Sequence, residues 1–487
     1  MNHLDETITN AKKLQGESDK SNSIVIFEKT RSSYKKVEPF LTYIVPKKVH
    51  GINGPPLPVY KEDSGKVLPA IGFQAIGEQL YSDEEIDSGL YQYRIEILIG
   101  YLEAIKEKLD PITLKPRHFF TSIHQQFLGI FSLGIISFDT PSSLRGLEES
   151  IISLSSIKDV YEMSLSDTLK NLDNDLHVEF MKNIDNAVFY LKENDDFDNF
   201  NRYEFTRNHI NPLTSNWRDI RKKTGLFGAP KNIAVNLDAP TFFEENSFHT
   251  DYFTGLKTTP SRDQVLLGKK LYFDEKLSAS GNLSCATCHQ PNNAYQDGLR
   301  VGIDKNGNPL KRNTPTVINS VYQRKFFWDG RSDNLVQQIN QVFDNEMEFG
   351  QSMAHDLKIV DLDSEEYDSL FAKAFPDSKK MSRRSVVRSI SAYVSTLNGL
   401  NSRFDKNMRG ESNDFTNEEV LGMNLYMGKA LCATCHFLPL TSGTVPPLFR
   451  ETEKEIIGTP ETAENKEVDG DVGFYWVFQE DIHKYMF

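Results

Sequence analysis

Two short stretches hold the side chains of this chain best suited to chemistry, Cys285-Ala286-Thr287-Cys288-His289 and Cys432-Ala433-Thr434-Cys435-His436. Together they use all four cysteines, so no thiol remains for a disulfide elsewhere. The spacing follows from a porphyrin: two thiols can add to the two vinyl groups of one haem, and the histidine after the second cysteine is then held beneath the iron as its ligand. Covalent attachment keeps the haem bound whatever its oxidation state, which suits a site that cycles through redox states. Three plainer readings fit less well. Zinc ribbons usually set their cysteine pairs about 15–20 residues apart, whereas these pairs lie in separate parts of the chain. Neither pair has the surroundings of a thioredoxin-like dithiol, and a histidine recurring after both pairs argues against coincidence. The motifs therefore indicate two covalently bound haem c groups, with Cys285, Cys288, Cys432 and Cys435 as attachment points and His289 and His436 on the irons.

Such motifs need helices to present them. Leu267-Gly268-Lys269-Lys270-Leu271-Tyr272 ahead of Cys285 is echoed by Leu421-Gly422-Met423-Asn424-Leu425-Tyr426 ahead of Cys432, an internal repeat that sets two similar modules in tandem. Thr416-Asn417-Glu418-Glu419 is a capping box, so each haem motif is expected to follow a short amphipathic helix. Val386, Val387, Ile390, Tyr393, Val394 and Leu397 predict a further helix with one apolar face, expected to pack between the modules. Residues from about 25 to 225 read as mainly helical, with Ser82-Asp83-Glu84-Glu85 as a capping box and Ile95, Leu98, Leu102, Ile105 and Leu109 at helical spacing behind it. Gly54-Pro55-Pro56-Leu57-Pro58 and Asp139-Thr140-Pro141 read as breaks between helices. The stretch from Gly225 to Ser261, rich in Pro, Asn, Phe and Thr without periodicity, reads as a domain linker.

Bulk composition bounds the partners. At 487 residues the chain is long enough for more than one folded unit, and 38% hydrophobic with 25% charged residues describes an ordinary globular composition. A formal charge of −14 argues against nucleic acid and suits a basic donor protein better. The longest apolar stretch, around Phe127 to Phe138, falls well short of the roughly 20 residues a membrane-spanning helix needs. Met1-Asn2-His3-Leu4-Asp5-Glu6 has neither the charged start nor the apolar run of a secretory signal.

From about Gln264 onward the chain resembles the bacterial di-haem cytochrome c peroxidases and the related MauG proteins. The likeness rests on Leu271-Tyr272-Phe273-Asp274 and Leu277-Ser278, on Arg312-Asn313-Thr314-Pro315-Thr316, on Phe327-Trp328-Asp329-Gly330-Arg331, and on Ser402-Arg403-Phe404-Asp405. Residues from about Ser32 to Asp139 also resemble a helical extension found ahead of such peroxidases, itself loosely akin to imelysin domains. The imelysin metal motif is missing, because Gly72-Phe73-Gln74-Ala75-Ile76-Gly77-Glu78 contains no histidine, and no metal is assigned there. The resemblance implies a mainly α fold: a helical extension (1–225), a linker (226–262), a first c-type cytochrome domain (263–410) and a second one (411–487) expected to continue past Phe487. It further implies a peroxidase that reduces hydrogen peroxide with electrons from a small donor protein, a cytochrome c or a cupredoxin. A MauG-like oxidase of a partner protein and a non-catalytic electron-transfer protein are the alternatives.

Residue roles are implied in the same way. His289 lies under the peroxidatic haem and His436 under the electron-transfer haem. Glu348 corresponds to the distal acid that moves a proton during O–O cleavage, against the plainer reading of one more carboxylate on a solvated loop. Gln338 is implied as a distal hydrogen-bond donor, Trp328 as the aromatic ring between the haems, and Asn313 as one ligand of a calcium ion whose other ligands lie downstream. Many relatives block the first iron with a histidine in the loop after the first motif. None occurs here between His289 and His355, so the first haem is expected to be five-coordinate or water-bound, with a high-spin ferric spectrum. The distal methionine of the second haem is expected beyond Phe487 and is not assigned to Met486. Haem attachment of this kind takes place outside the bacterial inner membrane, so a periplasmic location and an export signal missing from this chain are expected. The oligomeric state is left open, a homodimer included.

Overall fold

The structure, a computed structural model, describes residues 1–54, 59–61, 66–256, 258–351, 365–458, 460 and 462–486. Pro55, Pro56, Leu57, Pro58, His355 and Phe487 lie outside the described residues. Helices dominate, as expected, and the strands Val59–Lys61 and Lys66–Leu68 pair as a short antiparallel ribbon.

Helix Ser88–Leu109 buries Ile95, Leu98, Leu102 and Ile105 on one face, as its periodicity predicts. Its start differs from the expected Ser82 box. Asp87 is the cap, its carboxylate accepting the N–H groups of Gly89 and Leu90 at 3.0 Å, while Ser82 closes the preceding helix Gly72–Tyr81. Both residues are good caps by type, and only the position of the first buried residue, Tyr91, decides between them.

Among the described residues, three apolar cores organise the structure. One gathers residues between Leu4 and Ile105. A second, between Leu267 and Val394, belongs to the first haem module. The third joins residues from Phe120 onward to Phe437, Leu438, Leu440 and Phe449 around the second motif. The stretch from 225 to 261, read as a linker, contributes Val235, Phe242, Phe243, Phe248 and Phe253 to this third core. Its lack of periodicity reflects irregular backbone packed from several sides. Helix Lys20–Ile44 also buries charge: Arg31 pairs with Glu149 at 2.6 Å, and Lys35 reaches Glu38 at 3.0 Å and Asp139 at 2.5 Å. Removing one partner of such a buried set typically costs about 3–5 kcal/mol.

The two helices that introduce the motifs are both closed by capping boxes, Ser261 with Gln264 on helix Arg262–Tyr272 and Thr416 with Glu419 on helix Asn417–Met427. Helix Arg383–Val394 does not pack between the modules as expected. It lies in the first module's core, crossing helix Arg262–Tyr272 so closely that a Cβ on Gly268 would stand 1.8 Å from the Ser389 carbonyl oxygen. The repeat-related Gly422 has open space around it among the described residues. G268A is therefore expected to destabilise by at least about 1–3 kcal/mol through overpacking, whereas G422A gains up to about 1 kcal/mol from helix propensity. Melting temperatures of the two variants check this, and equal shifts would contradict the packing.

Candidate functional site

The first motif begins on a helical turn, Cys285–Cys288, whose start is closed by the Ser284 N–H donating to Thr287 Oγ1 at 2.9 Å. The His289 N–H then donates to the Cys285 carbonyl at 2.8 Å, and the Tyr272 hydroxyl donates to the His289 carbonyl at 2.9 Å. The imidazole is oriented by its Nδ1, 3.2 Å from the Tyr295 carbonyl oxygen. A carbonyl can only accept, so Nδ1 carries the hydrogen and Nε2 keeps the lone pair an iron ion requires. Burial lowers the His289 pKa, which favours this neutral form. Ala294 and Tyr295 achieve the turn with φ of 49° and 59°, a left-handed conformation uncommon in residues with side chains. All four cysteines are free thiols, and among the described residues no group of three or more His, Cys, Asp or Glu is arranged to hold a metal ion. Free thiol pairs beside a buried, neutral imidazole fit a covalently attached haem better than they fit zinc.

Glu348 stands on the loop 345–350 and differs from its acidic neighbours. Asp344 pairs with Arg383 at 2.8 Å and Glu346 is largely exposed near Lys305, whereas Glu348 is half-buried and accepts from Asn345 Nδ2 at 2.9 Å. Burial raises its pKa; the Asn345 hydrogen bond and the charge of Arg331 oppose the shift. A hydrogen bond to a charged group contributes about 1.5–3 kcal/mol, less than the several kcal/mol that desolvating a carboxylate costs, so burial prevails. The solvated-loop alternative is not what this geometry shows. The Phe349 carbonyl accepts from the Ala279 N–H at 2.8 Å, tying the loop to the segment before Cys285. The charge of Glu348 helps raise the thiols of both Cys285 and Cys288, and burial is the main cause for each.

The other expected residues are placed less tightly. Gln338 is half-buried on helix Leu335–Asp344, its N–H donating to the Asn334 carbonyl. Trp328 is 54% exposed in the turn between Phe326 and Ser332. That turn meets the second module: at Gly330, where φ is +64°, a Cβ would come within 2.2 Å of the Phe474 ring. Arg312 reinforces the seam with paired 2.8 Å hydrogen bonds to Asp471. Its neighbour Asn313 is exposed, and the described residues gather no carboxylate cluster around it for calcium.

The second motif repeats the backbone arrangement of the first. The His436 N–H donates to the Cys432 carbonyl at 2.9 Å, and Tyr426 donates its hydroxyl to the His436 carbonyl at 2.6 Å. Cys432 and His436 are exposed here, and the next residue, Phe437, is buried. Met486 pairs through its backbone, accepting the Phe474 N–H at 2.9 Å. Sequence reasoning missed Tyr272, Tyr295 and Tyr426, although the repeated Leu-Gly-x-x-Leu-Tyr marks two of them. It also missed Glu453, whose carboxyl burial pushes up to about 8, with Glu455 adding to the shift, and whose Oε1 is buried without a partner. Nothing in its local sequence distinguishes it from the neighbouring glutamates.

Residues 262–413 match the family described as di-haem cytochrome c peroxidase. The methylamine utilization protein MauG of Methylorubrum extorquens is 36% identical over 175 residues, covering 36% of this chain and 49% of that protein. The cytochrome c551 peroxidase of Pseudomonas aeruginosa is 34% identical over 188 residues, covering 38% of this chain and 53% of its own. The chain thus spans about half the length of these curated relatives. A crystal structure of a MauG-like protein associated with microbial copper homeostasis aligns at a TM-score of 0.40 and 27% identity, covering 47% of this chain and 68% of that one. Residues 262–413, which carry the first motif, thus match the di-haem cytochrome c peroxidase and MauG family.

One consequence concerns the thiols before haem is attached. Burial pushes Cys285 up to about 12, while Cys432 is exposed. In protein produced without haem maturation, iodoacetamide at mildly alkaline pH is expected to label Cys432 well ahead of Cys285. Peptide mass spectrometry over a time course measures the order, and the reverse order would contradict the described burial.

Proposed function

We propose that the chain reduces hydrogen peroxide to water with electrons from a small donor protein, a cytochrome c or a cupredoxin, outside the bacterial inner membrane. The observation that carries this reading is Glu348, a desolvated carboxylate held by Asn345 beside the first attachment site. Haem bound at the two motifs would supply the redox chemistry, taking electrons singly from the donor and delivering them to peroxide. Every other requirement falls to the protein. Ionised Glu348 accepts a proton from the incoming peroxide oxygen and returns it to the departing one, so that the O–O bond breaks with water as the leaving product. His289 is kept neutral and aimed by the Tyr295 carbonyl, while Gln338 adds a hydrogen bond on the peroxide side. Electrons enter on the His436 side and cross at the seam where Trp328 sits. The formal charge of −14 complements a donor with a basic face.

A second reading, a MauG-like oxidation of a partner protein, draws on the lack of any histidine between His289 and His355 that could block the first iron. Consumption of a reduced small cytochrome on adding peroxide favours the first reading. Peroxide-dependent change in a partner's side chains without cytochrome consumption favours the second. Under either, the resting ferric protein shows a high-spin component from the first haem, and a wholly low-spin spectrum would contradict the open position.

E348Q is expected to lower peroxide turnover by about 10²–10⁴-fold, the usual contribution of a positioned general base, with two haems per chain retained. The pH dependence has a definite sign. Burial raises the Glu348 pKa and only the ionised form accepts the proton, so activity is lost as pH falls through that raised value and recovers above it. A pH profile of kcat/KM should show this acidic limb in the wild type and lack it in E348Q. Undiminished turnover in E348Q would remove Glu348 from the mechanism, and no peroxide turnover in the wild type would leave plain electron transfer.

A further inference from the structure

The family match begins at residue 262 and leaves the helices before it without a role. Those helices are not an appended body. Those from Phe120 onward share one core with the second haem module and with Val321, Tyr322, Leu400 and Met408, while Leu4 to Ile105 form a core of their own and the buried core around the first motif draws on residues from Leu267 onward.

The contacts concentrate on both flanks of the second motif. On its N-terminal side, Arg202 is wholly buried and donates to the carbonyls of Ile135 at 3.0 Å, Phe200 at 3.2 Å and Phe197 at 2.8 Å. Gly428, four residues before Cys432, closes on this guanidinium so tightly that a Cβ would lie 2.5 Å from Arg202 Nη1. Asn424 on the same helix is bound from both directions, accepting the Tyr203 N–H and donating to Asn201 Oδ1, each at 3.0 Å. On the C-terminal side, the residue after His436 is Phe437, and its ring meets that of Phe138 edge to face at 5.1 Å. Phe138 follows shortly after Ile135, the residue whose carbonyl Arg202 holds, so the two grips are linked. The two motifs also differ. The His289 ring is oriented by a backbone carbonyl, and among the described residues no such hydrogen bond is made to the His436 ring.

We propose that the N-terminal helical region is the positioning element of the second haem, with Phe138 and Arg202 gripping the chain on either side of Cys432 and His436. The inference rests on reading this motif as a haem site. Phe138 is a positioning residue that acts through Phe437: its ring fixes the Phe437 ring and so limits the backbone attitude of the adjoining His436. The buried Phe138–Phe437 pair is the apolar flank of an otherwise exposed histidine, and apolar surroundings disfavour the charged ferric state and so raise the haem potential.

The test is spectroelectrochemical titration and EPR of the full chain loaded with haem. F138A is expected to lower the midpoint potential of the second haem and shift its EPR g values, leaving those of the first haem unchanged. F138L keeps the apolar volume while losing the ring contact, so it is expected to give a smaller shift of the same sign and serves where F138A does not accumulate. A lowered melting temperature with both midpoints and g values at wild-type positions would overturn the proposal, because it would show packing alone. A wild-type count below two haems per chain would instead overturn the haem reading, so the two failures are distinguishable.

Discussion

At each motif the backbone around the histidine is closed by the same two hydrogen bonds. The histidine N–H donates to the carbonyl of the first cysteine, and its own carbonyl accepts a tyrosine hydroxyl from the preceding helix. Taken singly, each contributes about 1 kcal/mol, a small fraction of the fold's stability. Their importance is geometric. With both ends of the histidine backbone held, the imidazole projects from a fixed base, with the first cysteine one turn behind it and the second immediately before it. The capping boxes at Ser261 and Thr416 fix where each preceding helix begins, and so where its tyrosine arrives.

On this shared frame the two sites diverge through what surrounds them. The first is enclosed: Tyr295 turns its carbonyl toward the imidazole, and the 345–350 loop brings a desolvated carboxylate to the same side of the module. An acid held above its ordinary pKa and a neutral, aimed histidine suit proton-coupled chemistry on a small oxidant. The second site is open at Cys432 and His436 and is braced from outside by Phe138 and Arg202. An open site suits exchange of electrons with a partner protein. The physical difference between two repeats of one motif therefore follows from their neighbours.

The helical region before residue 225 gains a physical rationale from the cores. One apolar cluster running from Phe120 to Phe449 couples it to the second module, and the stretch from 225 to 261 is part of that cluster. Removing either side would expose Phe138, Phe243 and Phe437 together. The turn carrying Trp328 and the Arg312–Asp471 pair then join the first module to residues after the second motif.

Much of this was legible in order of residues alone wherever the physics is local. Two thiols and a histidine within five positions can meet one porphyrin whatever the rest of the chain does. Periodicity marked Ile95, Leu98, Leu102 and Ile105, and a threonine three residues ahead of a glutamate marked the cap at Thr416. Tertiary structure decided what depends on distant parts of the chain: that Asp87 rather than Ser82 caps its helix, that helix Arg383–Val394 lies within the first module, that Val235, Phe242, Phe243, Phe248 and Phe253 are core, and that Glu348 is withdrawn from water while Glu346 is not. Burial is the common reason, because a carboxylate or a phenylalanine has the same identity in any sequence and acquires its energy only from the atoms that exclude solvent around it.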